Sequence, residues 1–214
     1  MFRRMIGGAA AGALTWTLTE YSVHRWAMHG RGGTNAWSEE HLDHHAKPYR
    51  TFELKFDGEV WMKVAGIPAV GLPAAGIGAL IGDRRAALQV GLAAGLAFSA
   101  CYAAYTHVHH VIHHEPPTTS AGRWVRKHHL AHHFSTPKRN FGVTHGWWDV
   151  ALGTAKTPDQ LKVPRRLAPS WLVDESGDVR AEHAGDYVLA GRTTRAVADA
   201  DVDRAMADQA PVTD

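Results

Sequence analysis

Cysteine is nearly absent, since Cys101 is the only one among the 214 residues of the chain. One cysteine excludes an intramolecular disulfide and any metal site built on cysteine pairs, and it is typical of a reducing compartment or a membrane interior. Net charge is also low, because 23 basic residues nearly balance 21 acidic ones. No overall field attracts nucleic acid, and no nucleic-acid-binding motif is present. If the chain binds a metal, histidine must supply the ligands.

Charge is missing from three long stretches of sequence. Glu20 is the only charged residue within 5–23, and the stretches 64–82 and 86–106 contain none. A helix needs about 20 residues to cross the hydrocarbon core of a bilayer, whereas buried helices of soluble bundles usually stop at about 10–14 apolar residues. The runs therefore predict an all-α integral membrane protein with three or four spans. Close packing of these helices is favoured by glycines four residues apart, namely Gly8 and Gly12, Gly78 and Gly82, and Gly91 and Gly95.

Histidine is abundant beside these stretches, and 15 of the 16 histidines precede residue 146. On an α-helix, residues i, i+3 and i+4 lie on one face. The motifs "HLDHH" (41–45) and "HLAHH" (129–133) therefore each present three imidazoles on one face, and His109 and His113 present two. His24 and His29 are five residues apart and diverge by about 140° on an α-helix. We therefore expect one of these two in a loop that follows the helix.

These pairs and triplets together contain ten histidines, which exceed the coordination sphere of one ion and imply two metals. A structural zinc site uses only four ligands, and a haem needs one histidine on each of two spans. The histidines instead follow the ends of the predicted spans, which indicates a metal site at the membrane interface. The hairpin formed by the second and third spans leaves and returns, so every block lies on one side of the membrane. Basic residues predict that this side is cytoplasmic: Arg25, Arg31, Lys47, Arg50, Lys55, Arg123, Arg126, Lys127, Lys138 and Arg139.

With these motifs in this order, the chain resembles the fatty acid hydroxylase superfamily of integral-membrane di-iron enzymes, which includes fatty acid hydroxylases, sterol desaturases and carotenoid hydroxylases. The most specific matches are "HRWAMH", "HLDHH", "HHVIH" and "HLAHH". The stretch "NFGVTHGWWDVALGT" (140–154) resembles the segment that follows the last histidine motif in this family.

The resemblance implies two iron ions, for which zinc can substitute in purified protein, and no catalytic residue beyond the metal ligands. The implied ligands are His24, His29, His41, His44, His45, His109, His113, His129, His132 and His133. Four further histidines either support these ligands or replace one of them, namely His110, His114, His128 and His145. Glu20, Asp43 and Asp149 are candidates to accept the second N–H of a ligating imidazole, or else they are solvated or capping carboxylates.

The implied reaction is hydroxylation of an unactivated C–H bond of a lipid, such as a fatty acyl chain or a sterol, with dioxygen. Electrons are expected from a separate ferredoxin-type or cytochrome-type protein, because too few residues follow Lys156 for a haem-binding domain. We predict a membrane catalytic domain over 1–156 and a polar, acidic, partly disordered tail over 157–214. The alternatives are a carotenoid hydroxylase or lipid desaturase on the same scaffold, and a non-enzymatic histidine-rich membrane protein that binds metal.

Overall fold

The computed structural model describes residues 2–48 and 56–191. Arg50 and Lys55, which enter the charge argument above, lie outside the described residues. The elements, in chain order, are α1 (Phe2–Ser22), a π-helix (Val23–His29), α2 (Ala36–Ala46), α3 (Phe56–Ile81), α4 (Arg84–His114), α5 (Ser120–Phe134), α6 (Trp147–Ala151), β1 (Leu161–Pro164) and β2 (Tyr187–Ala190). Two short 3₁₀ turns, Arg165–Leu167 and Ala181–His183, lie between the strands. The described part of the chain is therefore mainly helical, with one small sheet that the sequence analysis did not predict.

Two compact units make up the chain. Within the described residues, the helical unit comprises 2–19 and 56–107, and the histidine unit comprises 20–48 and 108–191. The three charge-poor stretches fall in α1, α3 and α4, which confirms that they are helical. All ten predicted ligands fall in the histidine unit.

Helices of the helical unit pack backbone to backbone through glycine. A methyl group at Gly8 or Gly12 would overlap the backbone of α4 at Val90 or Ala94. Gly91 and Gly95 approach the backbone of α3 equally closely. Small residues allow such contacts between membrane helices, which have no hydrophobic driving force between them.

Outward faces of the helical unit are apolar. Leu72, Ile77 and Leu80 on α3 are 64 to 87% exposed, and Leu88 on α4 is 63% exposed. Among the described residues, α4 is the one helix that is long and apolar enough to cross a membrane, and the apolar part of α3, Val64–Leu80, is shorter. The presence of three or four spans stays a prediction.

In the histidine unit, α2 and α5 begin at side-chain caps. Asn35 accepts a hydrogen bond from Ser38 N at 2.9 Å, and Thr119 accepts one from Gly122 N at 3.0 Å. Such caps satisfy backbone N–H groups that have no partner within the helix. Each of these two helices bears one histidine triplet, so the caps fix where the helices that carry the triplets begin.

A parallel pair of strands lies in the segment predicted to be a polar tail, with Leu161 paired to Tyr187 and Pro164 paired to Ala190. Leu161, Val163, Trp171 and Leu172 are buried. Residues 157–191 therefore contain a small apolar core, which supports their order, whereas residues 192–214 of the predicted tail lie outside the described residues.

Candidate metal centre

All ten predicted ligands come together in two groups of five, and within each group one ring nitrogen per residue lies within 4.8 Å of the others. The first histidine group contains His24, His29, His41, His45 and His132. The second histidine group contains His44, His109, His113, His129 and His133. Nine of the ten residues are buried and His109 is partly buried. The His45 and His133 rings stack at 4.0 Å between centroids, so the two groups are in contact.

Each triplet divides between the two groups. His41 and His45, which are four residues apart, join the first group, whereas His44 joins the second. In α5 the allocation is reversed, because the pair four residues apart joins the second group and His132 joins the first. Each group therefore combines two pairs with a single histidine taken from the other triplet.

The π-helix explains how His24 and His29 reach the same group. Residues five apart diverge less in a π-helix, where hydrogen bonds run from i to i+5, than in an α-helix, and the π-helix Val23–His29 contains both residues. The prediction that one of them lies in a following loop is therefore wrong. The prediction assumed the geometry of an α-helix, whereas a π-helix has more residues per turn.

Distances within the first group fit a metal-ligand shell. The Nε2 atoms of His41 and His29 are 2.9 Å apart, and those of His29 and His132 are also 2.9 Å apart. The Nε2 atoms of His132 and His45 are 3.1 Å apart. Imidazole nitrogens bind zinc at about 2.1 Å, so neighbouring nitrogens at right angles around such an ion are about 3.0 Å apart. In the second group, Nε2 of His129 lies 3.1 Å from that of His113 and 3.0 Å from that of His133.

Four rings of the first group form a square in the order His24, His41, His45 and His132, with adjacent centroids 4.4 to 4.8 Å apart. The His29 ring lies 4.6 to 5.1 Å from all four. His41 and His132 face each other across the square at 6.2 Å. The five ring centroids therefore form a square pyramid with His29 at its apex.

The second group has the same arrangement with His113 at the apex. Its ring lies 4.7 to 5.1 Å from the other four. Around the square, adjacent centroids lie 4.6 to 4.9 Å apart in the order His44, His109, His129 and His133. A structural zinc site needs only four protein ligands, and imidazole suits several transition metals. The donor set therefore fits two transition-metal ions.

Burial keeps these imidazoles neutral near pH 7. It lowers the pKa of His24 to about 4 and that of His44 to about 3. Burial and then neighbouring imidazoles hold the pKa values of His41, His132 and His133 well below the ordinary value of histidine. A metal binds the neutral ring, so these residues are in the protonation state that a metal requires.

Two imidazoles of the first group are oriented by carbonyl oxygens of one loop. His24 Nδ1 donates to Phe141 O at 2.5 Å, and His132 Nδ1 donates to Arg139 O at 2.7 Å. A carbonyl oxygen only accepts, so each Nδ1 carries the proton and each Nε2 presents its lone pair. We call residues 139–144 the bracing loop.

Glu20 and Asp149, which are candidates to accept the second N–H of a ligating imidazole, bind other groups. Glu20 accepts from the backbone N–H groups of Val143 and Thr144 rather than from His24. Asp149 binds the bracing loop and His128, which belongs to neither histidine group. Burial alone raises the pKa of the Asp149 carboxyl, but hydrogen bonds from His128 and from the backbone of the loop bring it below its ordinary value.

The other extra histidines also lie outside both groups. His110 and His114 stack on each other at 4.4 Å. His145 stacks on Trp147 at 4.5 Å, and its Nε2 lies 4.0 Å from Glu20 Oε2. Sequence reasoning missed Arg126, which is buried and donates to the carbonyl oxygens of Val111, Glu115, Pro116 and Gly122. A basic residue among other basic residues gives no sequence signal for such a role.

Comparisons with known proteins match this chain to hydroxylases. A family model described as fatty acid hydroxylase matches residues 9–154. A dihydroceramide fatty acyl 2-hydroxylase of Arabidopsis thaliana is 28% identical over 169 residues, which cover 72% of this chain and 62% of that protein. A ceramide very long chain fatty acid hydroxylase of Saccharomyces cerevisiae is 30% identical over 161 residues, which cover 69% of this chain and 38% of that protein.

A fatty acid 2-hydroxylase of Rattus norvegicus is 27% identical over 159 residues, which cover 70% of this chain and 39% of that protein. The chain therefore spans at most about three fifths of the length of these relatives. No solved structure matches it.

Proposed function

The chain belongs to the fatty acid hydroxylase family, and we propose that it is a membrane-bound di-iron enzyme that hydroxylates an unactivated C–H bond of a lipid. The observation that carries this proposal is the pair of buried five-histidine groups, which are in contact through the His45 and His133 rings. A protein that only stores metal has no need of two matched groups in contact with each other. The ten predicted ligands are proposed to hold one iron in each group.

When bound, the two irons would supply the reductive activation of dioxygen that allows a hydrogen to be removed from a C–H bond and replaced by hydroxyl. The chain supplies neutral imidazoles and keeps bulk water from their nitrogens, since His129 and His132 are 0% exposed. Carbonyl oxygens of the bracing loop hold the Nδ1 protons of His24 and His132, which keeps both Nε2 lone pairs directed into the first group.

A fatty acyl chain is the substrate class that we propose. The relatives named above are hydroxylases of fatty acids or of the fatty acyl part of ceramide, and two of these names specify position 2. Exposed apolar side chains on α3 and α4, such as Leu72 and Leu88, support a location in the bilayer, where such lipids are dissolved. We place the metal centre on the cytoplasmic face, and we propose that a separate ferredoxin-type or cytochrome-type protein delivers electrons.

The proposal is tested by metal content and lipid product together. The full chain is expressed in iron-supplemented cells, because zinc also binds imidazole, and it is compared with a variant that carries both His132→Ala and His133→Ala. We expect about two metals per chain in the parent and 2-hydroxylated acyl lipids that require dioxygen, with both lost in the variant. Fewer than two metals in the parent contradicts the di-iron proposal. Two metals without any hydroxylated lipid, in cells supplied with a donor protein, favours the non-enzymatic alternative.

A further inference from the structure

The bracing loop contacts the first histidine group through two carbonyl oxygens, those of Arg139 and Phe141. A ligand that donates its second N–H to a fixed acceptor is held in one tautomer and one orientation. The loop must therefore itself be held in place, because any displacement moves two of the five imidazoles.

Glu20 holds one end of this loop. Its Oε1 accepts from Val143 N at 2.7 Å and from Thr144 N at 2.9 Å, and its Oε2 accepts from the Thr144 hydroxyl at 2.6 Å. Glu20 is 4% exposed, and hydrogen bonds to a buried carboxylate are about twice as strong as those between neutral groups. This carboxylate lies four residues before His24, so it couples the chain that bears the first ligand to the loop that orients it.

Asp149 holds the middle of the loop. Its Oδ1 accepts from Phe141 N at 2.7 Å, and its Oδ2 accepts from Gly142 N at 2.8 Å. The same oxygens also accept from the Thr154 hydroxyl at 2.7 Å and from His128 Nε2 at 3.2 Å. Asp149 is 0% exposed. Phe141 thus donates to Asp149 through its N–H while its carbonyl oxygen accepts from His24, which makes a continuous path from carboxylate to ligand.

We propose that Glu20 and Asp149 are positioning residues for the metal of the first histidine group, and that they act through the bracing loop. They are not ligands, because both carboxylates bind the loop. The inference rests on the proposed two-metal function, and it adds that the two metals are held by different parts of the chain. Removal of either carboxylate should loosen one metal and leave the other unchanged.

Amide substitutions test this proposal with little change in volume. Asn at position 149 has one acceptor oxygen, so its NH₂ group would face two of the donors that Asp149 accepts from. We expect the Asp149→Asn and Glu20→Gln variants to release one of two bound metals to a chelator at least about 10-fold faster than the parent, with the second metal released at the parent rate. The experiment uses the full chain in lipid nanodiscs. Cobalt(II) is the metal, because its visible absorption also reports ligand geometry.

Background substitutions identify which metal is lost. With His41→Ala, which removes a first-group ligand, adding Glu20→Gln should have no further effect. With His129→Ala, which removes a second-group ligand, adding Glu20→Gln should speed release of the one remaining metal. Matched controls are Asp159→Asn and Glu40→Gln, since both side chains are exposed. These controls should release both metals at the parent rate.

Several outcomes overturn the inference. Parent-like release in both amide variants, equal acceleration for both metals, or an effect confined to the His41→Ala background would each contradict it. If Asp149→Asn does not fold, the milder Thr144→Val is tested instead, since it removes one hydrogen bond to Glu20. Metal release from Thr144→Val at the parent rate contradicts the proposal. A parent with fewer than two metals instead refutes the proposed function, so the two failures are distinguishable.

Discussion

The two histidine groups have the same number of imidazoles and the same pyramidal arrangement of rings, but the chain braces them differently. In the first group, Nδ1 of His24 and His132 donate to carbonyl oxygens of the bracing loop. In the second group, Nδ1 of His129 and His133 has no hydrogen-bond partner within residues 2–48 and 56–191. Those histidines lie on a helix that Arg126 ties to the end of α4. Two rings of the first group are therefore braced individually, whereas the second group is braced through the placement of helices.

This difference determines how each group should respond to change. A ring braced by its own hydrogen bond depends on a few atoms of one loop, so a small substitution there affects one metal. A ring braced by helix packing depends on how α4 and α5 meet, because His113 lies in the last turns of α4 and His129 lies in α5. Disturbance of the turn between these helices should therefore affect the second group more than the first, of which only His132 lies on α5.

Adjacent ligands provide the strongest test of this comparison. His132 belongs to the first group and His133 to the second, so His132→Ala and His133→Ala should each lose a different metal. Hydroxylation should fall at least about 100-fold in both variants, since the proposed reaction needs both metals. Metal analysis and cobalt spectra of the two variants check the expectation. Loss of the same metal in both would refute the division into two groups.

Arg126→Lys should have the next largest effect. Arg126 is 6% exposed, and its guanidinium donates to four carbonyl oxygens at 2.8 to 3.3 Å. Lysine lacks the planar fork that spans them, so carbonyls are left without a partner at a cost of about 2 kcal/mol. We expect the second-group metal to be released about 10-fold faster in chelator assays and the first-group metal to be affected less, since only His132 of the first group lies on α5. Arg123→Lys is the matched control because Arg123 is exposed.

Acid should destabilise the metal-free protein. Burial lowers the pKa of His24 and of His145 to about 4 from the ordinary value of 6.5. The unfolded chain therefore takes up protons near pH 6.5, whereas the folded chain takes them up only near pH 4. Stability is thus full above pH 6.5 and falls as the pH drops below it, by about 1 kcal/mol per buried histidine at pH 5.5.

Melting temperatures from pH 7.5 to 5.0 test this expectation. Metal loading should preserve the melting temperature to lower pH, because the ions exclude protons from the ligands. His145 lies outside both groups. His145→Gln should therefore make the melting temperature of the metal-free protein fall less steeply with decreasing pH, without affecting metal binding. A flat profile for the metal-free protein over this range would contradict the assignment of buried neutral rings.

Sequence patterns predicted the helices and the ten clustered histidines, because hydrophobic run length and helical spacing are local properties. They could not predict which group each histidine joins. The spacing i, i+3, i+4 places His41, His44 and His45 on one face, but only the packing of α2 against other elements separates His44 from its neighbours. The π-helix was not predicted either, because a change from i→i+4 to i→i+5 hydrogen bonds leaves no pattern in the local sequence.

The bracing network was equally beyond sequence reasoning. Glu20 and Thr144 are 124 residues apart in the chain, and their contact arises only after the histidine unit has formed. Glu20 lies one turn before His24, which makes it a candidate to accept the second N–H of that ring or else a solvated or capping carboxylate. Glu20 instead accepts from the backbone N–H groups of Val143 and Thr144. Buried backbone N–H groups need an acceptor, and this need cannot be read from the spacing between Glu20 and His24.

The helix caps provide the smallest and final test of the comparison. Thr119 caps α5 in the histidine unit, so Thr119→Ala should cost about 1 kcal/mol of unfolding free energy. Asn35 caps α2 and also donates to Ala27 O at 3.2 Å, which ties α2 to the π-helix. Since the π-helix bears His24 and His29, Asn35→Ala should cost more and should speed release of the first-group metal a few-fold. Denaturant titration and chelator assays measure both effects, with Thr118→Ala as an exposed control, and equal effects of the two cap variants on both metals would contradict separate bracing.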